Sequence, residues 1–135
     1  MSNTALSTAD QTTVATAAWG TVTLLSIAGI AGSAHKVATD ASLALNATTG
    51  AVGHAIADNP KAAKIKGKNA ADIADQVLPA LTESVRILEA HDPAEAENFR
   101  NTITVVIDAA NRAHKGEPSP TLAEMARKVT EAVNA

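Results

Sequence analysis

His54 and Asp58 stand four residues apart in the segment "AVGHAIAD". On a helix that spacing puts an imidazole and a carboxylate on one face, where together they offer one edge of a metal site. A metal needs a third or fourth ligand, and the nearby sequence supplies none; His35 or Asp40 would have to arrive from a preceding helix. A structural or solvent-facing His54 is the simpler reading, and no metal is expected. His91 and His114 each fall at the end of an expected helix, where partial positive charge suits the helix dipole. The carboxylate pairs Glu95 with Glu97 and Asp72 with Asp75 sit at helix beginnings, which capping and dipole terms already explain. Acid–base catalysis requires a pocket that perturbs such groups, and nothing in the sequence localises one. Nor is there a nucleophile elbow, a P-loop or a dinucleotide fingerprint. The expectation is a protein that is not an enzyme and carries no cofactor.

Lys61, Lys64, Lys66 and Lys68 make "KAAKIKGK" a local basic patch, able to touch a phosphate or an anionic surface. The patch is short and has no aromatic residue for stacking on bases, so it reads as a solvated loop. The formal net charge of -3 likewise argues against a nucleic-acid binder. The absence of cysteine excludes disulfides and thiolate metal sites. "MSNTALSTADQ" has no positive stretch of the kind that begins a secretory signal, and cytoplasmic residence is the expectation.

These residues must be positioned by helices. Alanine fills 31 of the 135 positions, while Trp19 and Phe99 are the only aromatic residues, so the core has to be built by close approach of backbones. Alanine is the strongest helix former, and strict apolar–polar alternation is missing. Ser7 can cap a first helix beginning near Thr8, on which Thr12, Thr16, Gly20 and Thr23 form a weakly polar strip. A break is placed at 31–34, and a second helix from Ala34 to about Asn46. "AVGHAIAD" has room for two helical turns before the lysine loop. Asn69 caps a helix reaching Ala90, with Ile73, Val77, Leu81, Val85 and Leu88 as its apolar stripe and Pro79 expected to kink it or open one hydrogen bond. "HDPAEAENF" marks the next start, with Asp92 as cap, Pro93 at the first position and Glu95 placed to reach back to the cap amide. Phe99, Ile103, Val106, Ala110 and Ala113 form the inward stripe of that helix, which Gly116 closes. Ser119 and Pro120 open the last helix, whose Leu122, Met125, Val129 and Val133 face inward. Arg86 is expected to pair with Glu83 and Arg100 with Glu97, each three residues away.

The run from Gln11 to His35 holds no fixed charge over 25 residues, which is long enough to span a bilayer. Its threonines, serines, alanines and three glycines keep it only modestly hydrophobic, and neither aromatic pairs nor basic clusters flank it. It therefore reads as a buried helix and not a membrane span. The spacings Ala28-x-x-x-Gly32 and Gly29-x-x-x-Ser33 would let another helix approach closely. Residues 1–60 carry only Asp10, Lys36, Asp40 and Asp58 as fixed charges, so this half of the chain must be covered by its own helices or by a partner.

Residues 78–116, "LPALTESVRILEAHDPAEAENFRNTITVVIDAANRAHKG", resemble a group of small alanine-rich bacterial helical proteins that have no established activity. The likeness lies in the apolar helix ending "ILEAHDPAEAENFR", the proline-capped turn with Phe99 and Arg100, and the Ala- and Val-rich helix that follows. Members of that group often continue into a glycine-rich loop; here the chain has "KGEPSP", so nothing about that loop carries over. A more distant likeness is to tellurite-resistance TerB-like helical domains, through the early Trp-containing helix. The resemblance implies a helical fold and no particular activity.

The sequence thus predicts a soluble all-α protein: a single domain over residues 1–135, a bundle of five to six helices around a central apolar N-terminal helix, with a lysine loop at 61–68. Its expected mode of action is protein–protein contact as a homodimer, with Trp19, Val22, Leu25, Gly29 and Gly32 at the interface. The alternatives are a pocket between helices for an apolar small molecule or lipid, and a TerB-like metal-binding module.

Overall fold

A computed structural model describes residues 6–28, 39, 42, 43, 45, 47–59, 67, 69–113 and 120–135. Among these residues there are five helices and no strand: α1 (Thr8–Ala28), α2 (Gly50–Asp58), α3 (Ala70–His91), α4 (Pro93–Ala113) and α5 (Pro120–Val133). The expected helix from Ala34 to Asn46 falls largely outside the described residues, as do the break at 31–34, Ser119, Gly116 and, apart from Gly67, the lysine loop.

The helix starts follow local chemistry. Ser7 Oγ accepts from the Asp10 amide at 3.1 Å, and Asn69 Oδ1 accepts from the Asp72 amide at 2.9 Å. Asp92 Oδ1 accepts from the Ala94 amide at 3.0 Å, while Pro93 stands first in α4, where a missing N–H is not needed. Helix α3 runs unbroken through Pro79, which lies on its exposed face and has no N–H to give the Asp75 carbonyl.

Helix α1 packs against all four other helices and most extensively against α3. Val14, Ala15, Ala17, Ala18, Val22, Leu24 and Leu25 are buried, and so are Gly20 and Thr21. Burial of Thr21, and partial burial of Thr23 and Ser26, is possible because each hydroxyl is satisfied within the helix. Thr21 Oγ1 donates to the Ala17 carbonyl at 2.7 Å, Thr23 Oγ1 to Trp19 at 3.2 Å and Ser26 Oγ to Val22 at 2.7 Å. A threonine bonded back to its own helix presents mainly its methyl group to the core. No helix among the described residues is long and apolar enough to cross a membrane.

The apolar stripes of α3, α4 and α5 are buried as well. Ile73, Val77, Leu81, Val85 and Leu88 of α3 are buried, as are Phe99, Ile103, Val106 and Ala110 of α4 and Leu122, Met125, Val129 and Val133 of α5; the side chain of Ala113 is outside the described residues. Burying each larger member of these stripes stabilises the fold by about 1.5–3 kcal/mol.

A close approach between α1 and α3 is at Gly20. A β-carbon there would overlap Val77 Cγ2, and Val77, β-branched and in a helix, has essentially one rotamer to offer. The glycine of the weakly polar strip is therefore a packing residue. The small residues at 28–33, from which the sequence leads one to expect this role, lie outside the described residues or, for Ala28, have no described side chain. Gly20→Ala gains about 1 kcal/mol of helix propensity but overpacks the contact by about 1–3 kcal/mol. Chemical denaturation should show a net loss in the wild-type background and a neutral or stabilising effect in a Val77→Ala background. Stabilisation by Gly20→Ala in both would refute the close approach.

Candidate functional site

Where the beginning of α1, helix α2 and the α3–α4 corner meet, they border an open pocket of about 560 Å³, within the range of small-ligand sites. Helix α2 contributes Gly50, His54 and Asp58, and the corner contributes His91, Asp92 and Glu95. Leu6 and Gln11 complete the wall, with Gln11 Nε2 donating to the Leu6 carbonyl at 3.1 Å.

The corner is built by its own backbone. The Asp92 amide donates to the Leu88 carbonyl at 2.7 Å and ends α3, and the Asp92 carbonyl accepts from the Glu95 amide at 2.8 Å as α4 begins. Glu95 does not play the role expected of it. Its side chain turns away from the amide of its own cap and crosses to α2, where Oε1 accepts from the Val52 amide at 3.2 Å. Helix α2 needs this, because its own cap residue, Thr49, makes no side-chain capping bond. The carboxylate lies against the positive end of α2, where the helix dipole favours it.

Two further features fit the carboxylate to that place. Asn98 Nδ2 donates to the Thr49 carbonyl at 2.9 Å and to Glu95 Oε1 at 3.4 Å, bracing both partners. Gly50 has φ of +78°, and a β-carbon on it would stand 2.9 Å from Glu95 Oε2. Glycine is required here both for the left-handed backbone and for the space.

The expected His54–Asp58 pair does line the cavity from one face of α2, and both side chains are exposed. Among the described residues no group of three His, Asp or Glu side chains is gathered to hold a metal ion; His35 and Asp40 are outside them. His91 ends α3, as its position predicts. His114 is not among the described residues.

The expected interface residues are placed differently from one another. Val22 and Leu25 are 5% and 0% exposed and belong to the chain's own core, so neither side chain is available to a second copy docking on α1. Trp19 is half-buried against the same core, its Nε1 donating to the Ile56 carbonyl at 3.4 Å. Gly29 and Gly32 lie outside the described residues.

The predicted ion pairs form: Arg86 with Glu83 at 3.0 Å and Arg100 with Glu97 at 3.5 Å. Arg100 also reaches Glu89 at 3.0 Å and donates through Nε to the Val133 carbonyl at 3.1 Å, closing the end of α5. On the exposed side of α5, Arg127 lies between Glu124 and Glu131, and its hydrogen bond holds the Glu124 carboxyl below its usual range. None of these groups lines the cavity. Exposed pairs of this kind add little stability.

No family model, curated protein or solved structure matches the chain.

Gly50→Ala should destabilise the protein by about 1–3 kcal/mol, since alanine must hold a left-handed backbone while its methyl group pushes on the Glu95 carboxylate. Urea denaturation midpoints measure this. A change below about 0.5 kcal/mol, the range of ordinary surface substitutions, would contradict the geometry described.

Proposed function

We propose that this chain is a non-catalytic binding protein, and that its working site is the cavity between α2 and the α3–α4 corner. The carrying observation is the charge of the lining: among the described residues, Asp58, Asp92 and Glu95 face a volume of about 560 Å³ and no lysine or arginine does. A concave site lined by one sign of charge concentrates the opposite sign. The ligand that fits this chemistry is a small organic cation, an amine above all. Two carboxylates are held ready for it, Asp92 by the Ala94 amide and Glu95 by Val52 and Asn98. Asp58 stands in the last turn of α2, where the helix dipole adds to the attraction for a cation. The imidazoles of His54 and His91 supply further hydrogen-bonding groups. This lining favours a cationic ligand over the apolar molecule or lipid that an alanine-lined pocket would take.

In this reading α1 is the central apolar strut of one domain, the protein works in the cytoplasm, and the alanine-rich bacterial helical proteins are its kin. Self-association is a second reading, favoured by Ile27, which stays 45% exposed near the end of α1.

Calorimetric titration with putrescine and spermidine, against sodium acetate at matched ionic strength, tests the first reading. Saturable binding of an amine, weakened about tenfold or more by Asp58→Asn, is expected for the loss of one charge-assisted bond. No saturation with either amine at millimolar concentration would refute it, as would an Asp58→Asn variant that binds unchanged. Sedimentation at high micromolar concentration tests the second reading: a dimer is expected, and a monomer removes it.

A further inference from the structure

Helix α2 has nine residues, fewer than an isolated helix needs to persist in water. Its order therefore comes from docking, and among the described residues the docking contacts are few. Only Val52, Ala55 and Ile56 are buried. The polar contacts that join it to the other described residues are concentrated at its ends. At the start are the Glu95 carboxylate on the Val52 amide and Asn98 on the Thr49 carbonyl. Just before them, Thr48 Oγ1 donates to Thr102 Oγ1 at 3.2 Å. Near the other end is the Trp19 indole on the Ile56 carbonyl. By contrast, α3 and α4 are more than twice as long and carry continuous buried stripes.

We propose that α2 is a latch: it leaves α1 and α4 as a unit while α3, α4 and α5 stay folded, and the Glu95 carboxylate is its catch. Segments with few buried apolar contacts open at lower free energy than the core around them. The catch sits at the helix start, where unsatisfied amides accumulate, so losing it weakens the whole of a helix this short. Release of α2 takes away the wall that carries His54 and Asp58 and uncovers Val52, Ile56 and the indole of Trp19. The latch stands whatever the cavity binds.

Trp19 is the single tryptophan of the chain, so the emission comes from one residue, whose indole bonds to α2. Hydrogen exchange read by mass spectrometry tests the inference on the full chain. In the wild type, amides at 54–58 should exchange through an opening that leaves those of α3 protected. Glu95→Ala should speed their exchange about tenfold and shift Trp19 emission to the red, with α5 unchanged. Gly50→Ala, which disturbs the same catch from the other side, should do likewise. If α2 exchanges no faster than the core of α3 in the wild type, α2 opens only with the whole fold and the latch is wrong. Equal acceleration of every helix by Glu95→Ala would also overturn it.

Discussion

Gly20 and Val77 meet where α1 packs on α3, and the missing β-carbon lets the Val77 side chain sit directly against the α1 backbone. A chain with one tryptophan, one phenylalanine and 31 alanines cannot fill space between helices with large side chains. It must bring the helices together instead, because interiors are packed to crystal-like density whatever their composition. Once α1 lies against α3, its neighbours Val14, Ala17, Ala18 and Leu25 are buried as well. The back-bonded hydroxyl of Thr21, which is fully buried, is the polar counterpart of the same constraint.

Helix α4 does a second kind of work. Its first turns cap its neighbours: Glu95 and Asn98 hold the start of α2, and Arg100 closes the end of α5, where Thr82 of α3 also donates to the Ala132 carbonyl. Helix ends carry four unsatisfied groups each, and satisfying them from another helix fixes both the end and the angle between elements. The cavity is a consequence of this arrangement. The carboxylate that caps α2 also forms part of the cavity wall, so the electrostatics of the site and the docking of α2 share one side chain.

Much of this was legible in the chain itself. Caps at Ser7, Asn69 and Asp92 and the apolar stripes of α3, α4 and α5 are local patterns, written within one or two helical turns. The ion pairs of Arg86 and Arg100 are likewise three-residue relations. What sequence alone did not reveal is long-range. Glu95 has the spacing of a local capping box, and no neighbouring residue indicates that its carboxylate would instead serve a helix more than forty positions away. Gly50 was visible as punctuation, but its positive φ gains meaning only beside that carboxylate. Val22 and Leu25 read equally well as interface or core, because an apolar residue on a charge-poor helix does not say which surface will cover it.

The close packing of α1 on α3 is the claim on which the rest stands. Nuclear Overhauser measurements on methyl-labelled protein test it directly. Strong cross-peaks between the Gly20 α-protons and the Val77 methyl groups are predicted, and their absence from an otherwise well-dispersed spectrum would contradict the account.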